Sequence, residues 1–344
     1  MPGVATELNL QLPNLAWQAD VDEAIADLSW QGGQLYTAAA DGSVHHYDEQ
    51  GNAVARWQAH EGGVIRVAAQ PHGSHVATAG EDGRIQLWTG DGQHHEELVH
   101  EPRWIEHLQW TPDGKVLAAA AERTIYLWRI GEDKTESLGV WYDAKRNVLA
   151  MAWAPDNQRL ASACNKGLYL WHIGTSESVQ LLDFPGAPVS VAWSHSGAAL
   201  AVGTQDGFLQ IWNKNNKGRA KQLTMRGYRA KVTCLDWHPS KSLIATAGGN
   251  DVVIWDLSSN KGGSKPMPLR RHEGVITGLA YSPTGTHLFS GDRQGRLCIW
   301  NLKSGLEYEC VLDNEITCAQ WSADGRHLAV GNTLGQLRVI EIDE

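Results

Sequence analysis

A single landmark recurs along the whole chain and limits what it can fold into: an apolar-x-Trp triplet, or a close variant, every 40 to 45 residues. The series runs Trp30, Gln70, Trp110, Trp153, Trp193, Trp237, Tyr281 and Trp321. A second series lies downstream in each unit at Tyr47, Trp88, Trp128, Trp171, Trp212, Trp255, Trp300 and Ile340. Sixteen Trp against three Phe is the compositional trace of those reused positions. The period overrides the two or three domains that 344 residues would otherwise suggest.

Each unit reads alike between its landmarks. A turn such as TPDG, SHSG or SADG follows the first, then a strand of small residues such as HVATAG or LIATAG. A Gly-containing tight turn leads into an alternating strand such as RIQLW, LQIW or LCIW. Alternation of period two with β-branched and aromatic residues is the signature of half-buried strands. No stretch holds a helical period over three turns. The units therefore predict strands a, b and c, with a more variable strand d exemplified by 53–58 and 178–182.

This pattern resembles the WD40 repeat family over almost the whole chain, most clearly at 60–88 and 272–300; the name-giving dipeptide stands once, as Trp255-Asp256. The resemblance implies an all-β fold, a closed β-propeller of eight four-stranded blades forming one domain over 1–344. The eighth unit ends with the chain and lacks room for its strand d. Residues 12–20 are expected to supply it, since Asn14–Asp20 mirrors the segment 55–60 and matches Trp17 to Trp57. The resemblance also implies a buried hydrogen-bonded tetrad in the second unit, formed by His60, Thr78, Asp82 and Trp88. Other units keep fragments: His272, Ser290 and Trp300 in the seventh, Thr246 and Trp255 in the sixth.

Enzyme signatures are absent. There is no G-x-S-x-G elbow and no phosphate-cradling P-loop. His95 and His100 flank a zincin-like stretch with one residue too many, and the pairs His45-His46 and His94-His95 each point to opposite strand faces. Those histidines read as exposed residues at sheet edges. Neither catalysis, a cofactor nor a metal is expected. The five cysteines contain no C-x-x-C and read as free thiols of a reducing, cytoplasmic compartment. No signal peptide and no 18-residue apolar run are present, so no membrane contact is expected.

By resemblance, the d–a and b–c loops form the top face, where a partner would be bound. Arg66 and Glu106 stand out at the channel mouth as a potential pair. Arg103 and Trp104 precede them in the third unit, and Arg146, Tyr228 and Arg229 occupy comparable loops. Charge adds a second clue. Residues 1–55 carry eight acids and no Lys or Arg, whereas 214–231 carry seven cations, Lys217, Arg219 and Lys221 among them, and no acid. On an eight-blade ring these segments fall on opposite sides, which would steer an acidic partner toward the fifth blade. The net charge of −10 disfavours nucleic acid. The expected function is a non-catalytic scaffold binding proteins or peptides, a monomeric propeller within a complex. The alternative is a propeller with a metal or small molecule in its central channel.

Overall fold

The computed structural model describes residues 14–132, 134–142, 147–164, 167–175, 180–182, 186–214, 220–258 and 266–342. Its strands form eight antiparallel four-stranded sheets, each with its strand a at the inner edge. The innermost strands, a1 to a8, are Ile25–Gln31, Val64–Ala69, His107–Trp110, Val148–Trp153, Pro188–Trp193, Cys234–Trp237, Ile276–Tyr281 and Ile316–Trp321. Each packs on the next, and a8 packs back on a1, so the sheets form a closed ring.

The expected closing strand is present. Asn14–Asp20 runs antiparallel to Gln336–Glu341 and becomes the outer strand of the eighth sheet, with Trp17 opposite Val339. The first and last described strands thus share one sheet. Leaving this strand out would expose the edge of Gln336–Glu341.

The small-residue b strands are the most buried layer. Val116–Ala121 and Ala199–Thr204 are buried at every position. Short side chains there let neighbouring sheets approach, and large ones from the next blade fill the gap. Leu117 and Ile125 each lie at 0% exposure between sheets. Packing of this density makes core truncations costly, on the order of 2–5 kcal/mol for a large aliphatic residue.

The recurring tryptophans do more than pack. The indole N–H of Trp30, Trp110, Trp153, Trp237 and Trp321 donates backward to a strand-a carbonyl of the preceding blade, at 2.9–3.2 Å. Apolar burial and a satisfied buried donor meet in one side chain, which is why Trp suits this position. The second unit corrects the sequence reading. Ala69, not Gln70, is the residue paired like the other landmarks, opposite Val76. Gln70 instead reaches forward to the carbonyl of Gly114 in the third blade.

Two glycines show why the b–c turns of the second and eighth blades need glycine. Gly83 and Gly335 have φ of +75° and +78°, and an added Cβ would meet the Glu101 and Val21 carbonyl oxygens at 1.6 and 1.8 Å. Their own carbonyls accept the N–H groups of Glu101 and Val21 at 2.8 Å. Each turn therefore clamps the chain as it leaves strand d.

Candidate functional site

Correcting the second unit by one residue changes which side chains stand at the same level of the eight inner strands, where several bond the backbone of the next blade. The equivalent positions are Asp27, Arg66, His107, Ala150, Ser190, Cys234, Gly278 and Cys318; six of the eight strands place a register shift just before this residue. Asp27 accepts the N–H of Val67 at 3.2 Å, and burial raises its carboxyl above the ordinary range, with Arg66 opposing. His107 Nε2–H donates to the Val148 carbonyl at 3.2 Å, and burial beside Arg66 lowers its pKa to about 4. Burial pushes the Cys234 and Cys318 thiols up to about 11 and about 12. Both are protonated at neutral pH, which makes them poor nucleophiles and metal ligands. Among the described residues no group of three His, Cys, Asp or Glu is arranged to hold a metal ion.

Above this level, on the face carrying the d–a and b–c loops, a cavity of about 480 Å³ opens over the first four blades. Arg66, Glu81, Trp104, Glu106 and Leu149 line it with the small side chains of Ala26 and Ala40. Trp104 is 57% exposed and Leu149 41%, two large apolar groups facing solvent at one depression. The expected ion pair across the mouth is not formed. Arg66 Nε–H donates to the backbone carbonyl of Glu106 at 3.1 Å and makes no ion pair with its carboxylate. That bond arises because Arg66 sits one position deeper than the sequence alignment put it, level with the peptide of Glu106.

The remaining candidates do not converge on this cavity. Arg103 pairs with Glu122 at 3.3 Å beside it. Tyr228 is a structural residue. Its hydroxyl lies 2.7 Å from Thr246 Oγ1 and accepts the Trp255 indole N–H at 2.7 Å, taking the place a histidine holds elsewhere. Arg229 is exposed and lines a separate cleft with Asn250 and Asp251. Arg146, Lys217 and Arg219 lie outside the described residues, and Lys221 falls on the outer strand of the fifth blade, Ala220–Arg226, opposite Asn213.

The second-blade tetrad is a linear hydrogen-bond chain. Trp88 Nε1–H donates to Thr78 Oγ1 at 2.9 Å, Thr78 meets His60 Nε2 at 2.8 Å, and His60 Nδ1 meets Asp82 at 2.8 Å. Burial lowers the His60 pKa, so the ring is neutral and carries its one proton on Nδ1 toward the carboxylate. The seventh blade, read from sequence as a fragment, has the complete chain. Trp300 donates to Ser290 at 2.9 Å, Ser290 meets His272 at 2.7 Å, and His272 meets Asp292 at 2.9 Å. Asp292 stands two residues after its serine, whereas Asp82 stands four after its threonine, and that offset hid it. The histidines His45 and His46 also differ from expectation. They lie on strand c of the first blade, Ser43–Tyr47, paired on both sides, where His46 is 5% exposed, bonded to Gln34 at 2.6 Å and stacked on Tyr36.

The family described as WD domain, G-beta repeat matches residues 51–89, 94–129, 136–172, 178–213, 220–256 and 263–301, more than half of the chain. This chain belongs to the WD40 repeat family. Each matched segment starts in or near a strand d and ends on strand c of the next blade, so the sequence repeat straddles two sheets. Among curated relatives, THO complex subunit 3 of Arabidopsis thaliana is 31% identical over 156 residues, 44% of this chain and 48% of the relative. The anaphase-promoting complex subunit cdh1 of Dictyostelium discoideum is 36% identical over 123 residues, 34% of this chain and 15% of the relative. The matches thus span about half or less of these relatives. Among solved structures, Sqt1 from Chaetomium thermophilum superposes with a TM-score of 0.84 at 16% identity, covering 96% of this chain and 99% of that one. A second Sqt1 structure from that organism, bound to the N-terminus of the ribosomal protein L10, gives a TM-score of 0.78 at 16% identity, covering 93% and 97%. At such identities the likeness speaks for the fold alone.

Proposed function

We propose that this propeller is a non-catalytic scaffold that holds a partner protein or peptide on its top face, anchored in the cavity beside Trp104. The observation that carries the reading is a Trp and a Leu left exposed together at a depression rimmed by Glu81, Glu106 and Arg66. An exposed aromatic at a concave site, ringed by polar groups, has the makeup of an interface hot spot. The relatives named as complex subunits, and the Sqt1 structure holding a ribosomal protein's N-terminus, support the same class of role. The buried, protonated thiols and the structural use of both His–Asp pairs support a non-catalytic reading. The basic segment at 214–231 would steer an acidic part of the partner to the fifth blade, and a cytoplasmic setting fits the five free thiols.

The test is affinity capture from the source cell with the native chain and Trp104→Ala side by side. A true partner should be lost or weakened at least tenfold with the variant, at an unchanged melting temperature. Equal capture by both would refute the anchor. A second reading, a small ligand in the channel, draws on the polar arc of Asp27, Arg66 and His107. Retention of a co-purifying small molecule by native protein and its loss from Arg66→Ala would favour it.

A further inference from the structure

On the face opposite the Trp104 cavity, the a–b turns of blades six, seven and eight and the c–d turn of blade seven enclose a second cavity of about 410 Å³. Among the described residues three cations line it, Lys241 from blade six, Lys303 from blade seven and Arg326 from blade eight, with Asp324 as the one lining carboxylate. We propose that this cavity binds a phosphate monoester.

Each cation sits on a turn fixed by a side chain. His238 Nδ1 accepts the N–H groups of Ser240 and Lys241 at 3.1 and 3.0 Å. Its Nε2–H donates to the Gly285 carbonyl at 3.0 Å, which ties the turn of blade six to that of blade seven. Asn301 Oδ1 accepts the Lys303 N–H at 2.9 Å, and Asp324 Oδ1 accepts the Arg326 N–H at 3.0 Å. Three turns from three rigid sheets therefore present their cations to one hollow, and little ordering remains for a ligand to impose.

Charge selects the ligand class. Burial lowers the His238 pKa, so this ring is neutral at pH 7. Three cations stand against Asp324 on the described lining, with Glu307 behind it at 3.0 Å from His287. The remaining surplus of positive charge favours a phosphate monoester, at about −1.5 to −2, over a cation or a neutral ligand. Among the described residues Lys115 is the only lysine in an ion pair, so Lys241 and Lys303 have no carboxylate partner there. Arg326 reaches Asp324 only at 4.0 Å and with both side chains about half exposed or more. The Thr284 and Thr286 hydroxyls, 2.7 Å apart on the cavity wall, add neutral donors that can turn toward an anion. On a chain of net charge −10, a pocket with a surplus of cations selects one compact anion and not a polyanion, which the rest of the surface would repel. The volume exceeds that of a bare phosphate and leaves room for the esterified group.

Isothermal titration at low chloride tests the proposal with O-phosphothreonine in a capped tripeptide, adenosine monophosphate and inorganic phosphate as probes. At least one ester should bind the native chain with a Kd in the submillimolar to low millimolar range. Lys241→Ala with Lys303→Ala should weaken it tenfold or more. Both lysines are exposed, so the melting temperature should stay put and a folding defect is separable. Tighter binding of the peptide ester points to a phosphorylated partner, and tighter binding of the nucleotide points to a metabolite. Absence of binding by both esters, or equal binding by native and doubly substituted chains, would overturn the proposal. Capture through Trp104 lies on the other face and should be indifferent to these substitutions.

Discussion

At the scale of single residues, the two tetrads make unequal claims on stability. The side chains of His272 and Asp292 are both 0% exposed, whereas Asp82 keeps 10% exposure. Removing the histidine strands a carboxylate, and the cost grows with how dry that carboxylate is. His272→Ala should therefore cost about 3–5 kcal/mol, and His60→Ala less, about 2 kcal/mol. Urea melts of both variants check the ranking; an equal or reversed order would contradict the argument. Neither substitution should touch partner capture. The second-blade tetrad was legible because four residue types fell at the family's spacing. Asp292 was not, since the same hydrogen bond to histidine is reached from a different turn position. Tyr228 was misplaced for a related reason. A phenol can stand where the histidine stands in other blades and bond both Thr246 and Trp255 directly, and sequence shows only a tyrosine in a loop.

Among elements, the closing strand carries the most weight for its length. Trp17 packs against Tyr47 with ring centroids 5.5 Å apart and donates its indole N–H to the Glu49 carbonyl at 3.0 Å. Trp141 makes the same move from the outer strand of blade three to the Thr175 carbonyl in blade four. At Trp17 and Trp141 the outer-strand Trp is thus a hydrogen-bonded latch onto the next blade's c–d turn, and at Trp17 the latch also seals the ring. Trp57 packs on Gly92 of the corresponding turn without the bond. Deleting residues 1–20 should lower the melting temperature by 10 °C or more, because it bares an edge and opens the ring. Gly335→Ala probes the same closure without truncation. It places a Cβ against the Val21 carbonyl at a positive φ, so it should destabilise by several kcal/mol. An unchanged melt for both would mean the closing strand contributes little. The eight blades and this strand were readable because a missing strand in a periodic pattern has to be made up. The one-residue slip at Gln70 was not readable, since Ala69 has lost the aromatic that marks the register and Gln70 is the polar residue next to it.

For the whole molecule, pH reads the balance between buried bases and buried acids. Burial lowers the pKa of His45, His46, His60, His75, His107, His195, His238 and His272. Below 6.5 the unfolded chain binds protons that these folded sites refuse, so their stabilisation is complete above 6.5 and declines as pH falls. His107, at about 4, extends the decline furthest. Asp27 and Asp236 act in the opposite sense. Burial raises Asp236 to about 7, so the folded chain holds a proton there that the unfolded chain has released above 3.8. Its penalty therefore grows as pH rises from 3.8 to about 7. The histidines predict a melting temperature that drops from pH 7 to pH 5, and Asp27 and Asp236 work against that drop. Asp236→Asn separates the two contributions. The amide can still accept the Tyr281 N–H that Asp236 accepts at 2.7 Å, and it carries no buried charge. It should raise the melting temperature at pH 8 and leave it nearly unchanged at pH 4. An equal shift at both values would show that the carboxylate's charge, buried between blades six and seven, is not what the ring works against.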